Sequence, residues 1–257
     1  MRKSVLSFLS LLFLLSSCAP TPGRLLLPDQ LLMHQKILQR MRERTQGIHT
    51  LSGIARLAIQ TSQGRDSTEE VILLQPPDAI RLESWNSMGG LQLLMISRGK
   101  KGVFAIPGEF KTYEFASEPG PLKRHLGLDL SIPDLLQILM GAPPIPPLEP
   151  DQILTELDTG GTVLEILQGR RVIQKVWIDL SGRIVRWERL DAKGNPMESL
   201  IFDDFQEVEG ISMPFHIAYT GSGGVELALR YRSLLLNQAI EDRLFDISEV
   251  METINHE

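Results

Sequence analysis

The one thiol, Cys18, and five histidines at positions 34, 49, 125, 216 and 256 are the side chains from which a nucleophilic or metal centre would be built. Their spacing builds neither. The histidines are scattered, with no H-E-x-x-H pair, whereas a metal site needs several ligands brought together on one face. His216 falls on the polar face of an alternating segment, a surface position. Asp203 and Asp204 are adjacent, so in a strand they point to opposite faces and cannot act as a carboxylate pair. Asp134 stands in the first turn of a short apolar helix, where the helix dipole accounts for its charge. "GSGG" (221–224) lacks the order of a nucleophile elbow, and "GKKG" (99–102) lacks the Ser/Thr of a phosphate loop and reads as a hairpin turn. Trp85, Trp177 and Trp187 stand alone and read as packing residues. No catalytic residue, metal or cofactor is expected.

Cys18 has another chemistry open to it. Arg2 and Lys3 form a positive end, Val5 to Leu15 is apolar apart from Ser7 and Ser10, and Ser16 and Ser17 follow. That is the layout of a secretory signal peptide, too short to serve as a permanent membrane helix. Leu15-Ser16-Ser17-Cys18 resembles the lipobox of bacterial lipoproteins, in which the cysteine is acylated on sulfur and becomes the first residue after cleavage. The expected organisation is a signal peptide at 1–17, a lipidated tether at 18–28 and a single domain at 29–257. Several acyl chains, at about 0.8 kcal/mol per buried methylene, anchor a protein firmly. The tether residues "APTPGRLLL" reach roughly 30 Å when extended. Ala19 stands where an Asp would mark retention at the inner membrane, which resembles lipoproteins released to the outer membrane. The expected location is therefore the outer membrane, facing the periplasm.

The chain carries 26 Lys+Arg against 32 Asp+Glu. Loss of residues 1–17 removes two cations, Arg2 and Lys3, and no acid, which makes the balance more negative. Such a charge argues against a nucleic-acid surface, which wants a basic stripe. With one cysteine no intramolecular disulfide can form, so burial and hydrogen bonding must hold the fold.

The elements follow from periodicity. Asp29 after Pro28 reads as an N-cap; Leu31, Leu38 and Met41 share one side of the helix that follows, and Gly47 reads as its stop. From Ile48 the period becomes two, and alternating runs separated by turn residues predict eleven or twelve strands in meander order. Val225, Leu227, Leu229 and Tyr231 against Glu226, Ala228, Arg230 and Arg232 form the clearest of them. The pattern breaks once, at "SIPDLLQILMG" (131–141), a short apolar helix with Ser131 as N-cap, followed by the extended connector "APPIPPLEP" (142–150). Mainly β with α, the predicted architecture is a highly curved antiparallel sheet with a helical cover. The residues that would line a hydrocarbon pocket are those that would fill a core, and the sequence leaves both open.

Several stretches resemble the lipoprotein-localisation factors LolA and LolB: "LSGIARLAI" (51–59), "AIRLESWNSMGGLQLLMISRGKKGVFAI" (79–106), "GLDLSIPDLLQILMGAPP" (127–144), "VWIDLSGRIVRWERLDAKGNP" (176–196) and "GISMPFHI" (210–217). The resemblance covers most of the mature chain and places it with LolB or a related family. It implies an unclosed half-barrel capped by helices that binds acyl chains of lipoproteins or phospholipids, with a periplasmic LolA-like carrier as partner. It also implies a membrane-inserting loop at residues 86–91, with Met88 and Leu91 as its apolar residues, although the family's Pro-Leu-Gly tip reads Ser-Met-Gly here. Leu135, Leu136 and Leu139 are the expected inner face of the lid helix. Two further readings are an envelope interaction lipoprotein with a filled core and, with no support among the residues, a hydrolase of envelope lipids.

Overall fold

The computed structural model describes residues 28–62, 64–109, 111–116, 122, 128–149, 152–221 and 224–248. Cys18, the signal segment and most of the tether lie outside them. The first half of the chain forms helix α1 (Pro28–Gln46) and strands β1 (Leu51–Thr61), β2 (Gly64–Gln75), β3 (Ala79–Trp85), β4 (Leu91–Arg98), β5 (Lys101–Ile106) and β6 (Lys111–Ala116). Helix α2 (Ile132–Leu139) follows. The second half comprises β7 (Ile153–Asp158), β8 (Gly161–Gln168), β9 (Arg171–Asp179), β10 (Ile184–Leu190), β11 (Pro196–Val208), β12 (Ile211–Thr220) and β13 (Glu226–Leu236).

All 13 strands join one antiparallel sheet in the order β6-β5-β4-β3-β2-β1-β13-β12-β11-β10-β9-β8-β7. Each half is a meander of hairpins. The one non-local seam is β1 against β13, where Leu57 faces Leu229 and Leu51 faces Leu236. The sheet does not close: β6 and β7 are its edges, and the segment between them in sequence carries α2.

Alternation decides what each strand buries. Ala55, Ile72, Ile80, Met95 and Phe104 from the first half meet Ile166, Val176, Trp187, Phe202, Ile217 and Leu229 from the second in one continuous core on the concave face. Helix α1 adds Leu38, with Ile37 and Met41 half-buried beside it. On the outer face of β4 and β5 a small second cluster, Leu94, Ile96, Val103 and Ala105, is covered by Ile247. The short 3₁₀ turn Asp242–Phe245 reaches the same region: Arg81 Nη1 donates to the Leu244 carbonyl at 3.0 Å, and Phe245 is buried. Two glycines are required by close packing. A Cβ on Gly161, at φ 146°, would lie 2.0 Å from the Ile178 carbonyl, and one on Gly102 would enter the Phe115 ring.

Three elements depart from the sequence reading. Helix α1 begins at Pro28 and not after an Asp29 cap, because proline suits the first helical turn, where no amide is needed. The strand in excess of twelve is β7; it is an edge, its last three residues are exposed, and it therefore shows little alternation. Leu91 is the first residue of β4 and not part of the loop before it.

Candidate functional site

The concave face and its cover form the candidate site. Helix α2 has only eight residues, too few to persist alone in water, so its docking fixes it. Its start is set locally by a capping box. Ser131 Oγ accepts from the Asp134 amide at 3.2 Å, and Asp134 Oδ2 accepts from the Ser131 amide at 3.1 Å. That role accounts for Asp134 without catalysis. Ile132, Leu136, Ile138 and Leu139 are buried in the concave core and Leu135 is half-buried against it, so the three predicted lid leucines come together there. Tyr231 Oη, from the floor of the sheet, donates to the Leu139 carbonyl at 2.9 Å. Downstream, Trp187 Nε1 donates to Gln174 Oε1 at 3.2 Å, and Gln174 Nε2 donates to the Pro144 carbonyl at 3.5 Å. The cover is thus pinned to the sheet by apolar contacts and a few side-chain hydrogen bonds.

The apolar floor also carries buried polar groups. Glu198 is buried: Oε1 accepts from Tyr219 Oη at 2.9 Å, and Oε2 lies 3.0 Å from Arg189 Nη1. Burial pushes its carboxyl pKa up, against the pull of the Arg189 charge. Burial and the Glu198 carboxylate likewise raise the Tyr219 phenol. His34, fully covered on α1, lies 3.2 Å from Thr155 Oγ1 on β7. Glu70 is in phase with Ile72 and Leu74, which is the signal in the sequence that it faces inward. It accepts from Thr68 Oγ1 at 2.6 Å and Ser84 Oγ at 2.8 Å.

Burial raises the Glu70 pKa above 4.5, opposed by those two hydroxyls, which favour the ionised form. Between the unfolded and the raised folded pKa the unfolded chain has released this proton while the folded chain keeps it. The stability it confers is complete at lower pH and is lost as pH rises through the folded pKa. Glu70→Gln removes the titration, so its Tm should fall less than that of the native protein between pH 4.5 and neutrality. Glu198 titrates with the same sign in both proteins and cancels in the difference. Parallel Tm-against-pH curves would contradict this.

The loop between β3 and β4 is ordered by Asn86. Its Oδ1 accepts from the Met88 and Gly90 amides, both at 2.9 Å, and its own amide donates to the Gly90 carbonyl. Gly89 takes φ 80°, whereas Gly90 has no positive φ; a Cβ there would meet Asn86 at 3.0 Å. Met88 is 91% exposed at the tip. Leu91 packs against the outer-face cluster beside Ile247, so the two apolar residues are separated.

Among the described residues no group of three His, Cys, Asp or Glu is placed to hold a metal. No described helix is long and apolar enough to cross a membrane. His216 pairs with Asp203 on the outer face, Nδ1 to Oδ1 at 2.8 Å.

No protein-family model matches the chain, and no curated protein matches it by sequence. Solved structures match the fold. A domain from Vibrio parahaemolyticus, described as an outer membrane lipoprotein-sorting protein, is 15% identical with a TM-score of 0.58, over 86% of this chain and 99% of that one. A DUF1329 family protein from Desulfovibrio piger is 14% identical with a TM-score of 0.58, over 86% and 98%. A LolA superfamily protein from Nitrosomonas europaea is 12% identical with a TM-score of 0.55, over 84% and 98%. The chain has the LolA-like fold: an unclosed, helix-covered half-barrel.

Proposed function

We propose that this LolA-like half-barrel binds acyl chains of lipoproteins or phospholipids between the concave face and α2, and serves lipoprotein or lipid sorting. The observation that supports it most is the cover. An apolar face running across the sheet lies beneath an eight-residue helix held by side-chain packing and the Tyr231 hydroxyl, a closure that can move without unpairing a strand. On this reading Cys18 is acylated and anchors the protein to the outer membrane, facing the periplasm, and a LolA-like carrier exchanges cargo with it. Labelled palmitate should enter the native protein and not Cys18→Ser; incorporation into the variant would sink the anchor.

The binding reading is tested by extracting the purified protein for mass spectrometry of retained acyl lipid, and by uptake of a fluorescent fatty acid. Met88, at the exposed loop tip, is the candidate for delivery into a bilayer. Met88→Glu should change stability by no more than about 0.5 kcal/mol, since nothing buried is lost, and should leave fatty-acid uptake intact while slowing transfer to liposomes. Unchanged transfer removes Met88 from the function. The near-complete burial of the concave side chains favours a second reading, a filled interior in an envelope interaction protein. Absence of both retained lipid and uptake would establish that reading over the first.

A further inference from the structure

We propose that the outer face of the sheet, at the β1–β13 seam, carries a binding site for a phosphate-class oxyanion. A trough of about 630 Å³ lies there, lined by Arg56, Ala58, Arg65, Asp66, Ser67, Ala228 and Arg230. The register explains how three guanidinium groups come to share it. Five residues align across five strands in the order Glu69, Arg56, Arg230, His216 and Asp203. The two outer acids are already engaged: Glu69 by Arg232, and Asp203 by His216 at 2.8 Å. Arg56 and Arg230 are left directly opposite each other at the centre. Like charges opposed on one face of a sheet repel, and among the described residues neither makes an ion pair with an acid.

The neighbouring acids do not fill that role. Asp66 Oδ1 accepts from the Ser67 amide at 2.7 Å, and Glu226 makes no ion pair among the described residues. Arg56 Nη2 donates to Ser67 Oγ at 3.2 Å, while Arg65 and Arg230 have no carboxylate partner among the described residues. The next aligned row is Ser67, Ala58, Ala228 and Ala218. Small side chains of this row, Ser67, Ala58 and Ala228, line the trough beside the three arginines and leave room there for a ligand. The chain as a whole is acidic, with 32 acids against 26 cations, so this concentration of arginine is not a consequence of composition. Guanidinium forks donate to paired oxygens, and three around one trough suit a tetrahedral anion with several oxygens better than a single carboxylate. The oxyanion is either free phosphate or the phosphodiester of a lipid headgroup.

The full chain and Arg230→Gln are compared in chloride and in inorganic phosphate at matched ionic strength, by thermal melts and calorimetric titration. Phosphate should raise the Tm of the native protein, and its affinity should fall about tenfold or more in Arg230→Gln. In chloride the variant should melt at the same temperature or higher, because the opposed charges are relieved. A structural arginine would behave oppositely, lowering Tm in chloride and leaving the phosphate response intact, and that result overturns the site. Arg56→Gln should reproduce the pattern. Glycerophosphoglycerol, a headgroup without chains, distinguishes the sources: its binding assigns the site to lipid headgroups, whereas binding of inorganic phosphate alone assigns it to free phosphate. Binding of neither anion, or of glutamate as tightly as phosphate, refutes the proposal. Fatty-acid uptake should be unchanged in both variants, so this test stands or falls apart from that of the concave face.

Discussion

Leu139→Asp is expected to lower stability by about 3–5 kcal/mol, or, if α2 undocks as a unit, to abolish acyl-chain uptake with the sheet intact. Leu139 is 4% exposed and lies in the same apolar cluster as Leu136, Leu229 and Tyr231. An aspartate there must bury a carboxylate without a counter-charge, be protonated at a cost in free energy, or leave. Its backbone carbonyl holds the Tyr231 hydroxyl at 2.9 Å, so a shift of the helix also strips that buried phenol of its acceptor. For a domain of this size such a loss corresponds to a fall in Tm of roughly 6–20 °C. Leu139→Ala, at about 2–5 kcal/mol, separates the missing volume from the added charge. The measurement is a thermal melt beside fatty-acid uptake. A variant normal in both would show that α2 does not cover the concave face.

Trp187→Ala should cost a similar amount, about 3–5 kcal/mol, for a different reason. Trp187 is completely buried in the concave core, and its indole N–H is the donor to Gln174 Oε1. Truncation leaves a cavity and unties the glutamine whose other end reaches the Pro144 carbonyl. Trp187→Phe keeps most of the volume and removes only the donor, so it should cost about 1–3 kcal/mol through the unpaired Gln174 oxygen. Urea midpoints give both values. Limited proteolysis within residues 142–149 should speed up in the two variants if the Gln174 link holds the proline connector. A Trp187→Ala loss below about 1 kcal/mol would mean the ring is not packed as described.

The polar pairings of this fold could be read from the sequence only where the partner is close along the chain. Ser131 and Asp134 cap α2 three residues apart, so the motif and the helix it starts were visible together. Glu198 and Tyr219 meet on adjacent strands, 21 residues apart, and His34 reaches Thr155 across 121 residues. Nothing local announces such pairs. Met88 stands at an exposed turn, whereas Leu91, which the resemblance placed in the same loop, starts β4 and packs beside Leu94 and Ile96 on the outer face.

The sequence by itself determined the strands whose two faces differ, such as β13, because alternation is a property of the residues and needs no partner. It determined the cap and apolar face of α2, and the position of the lone cysteine behind an apolar run. Only the tertiary structure decided that β1 pairs with β13, since that contact joins the two ends of the chain and depends on the closing register. With it came the edges at β6 and β7, the recruitment of the weakly patterned β7 by pairing with β8, and the opposition of Arg56 and Arg230. Register sets which side chains face each other across strands, and it is fixed by the whole sheet.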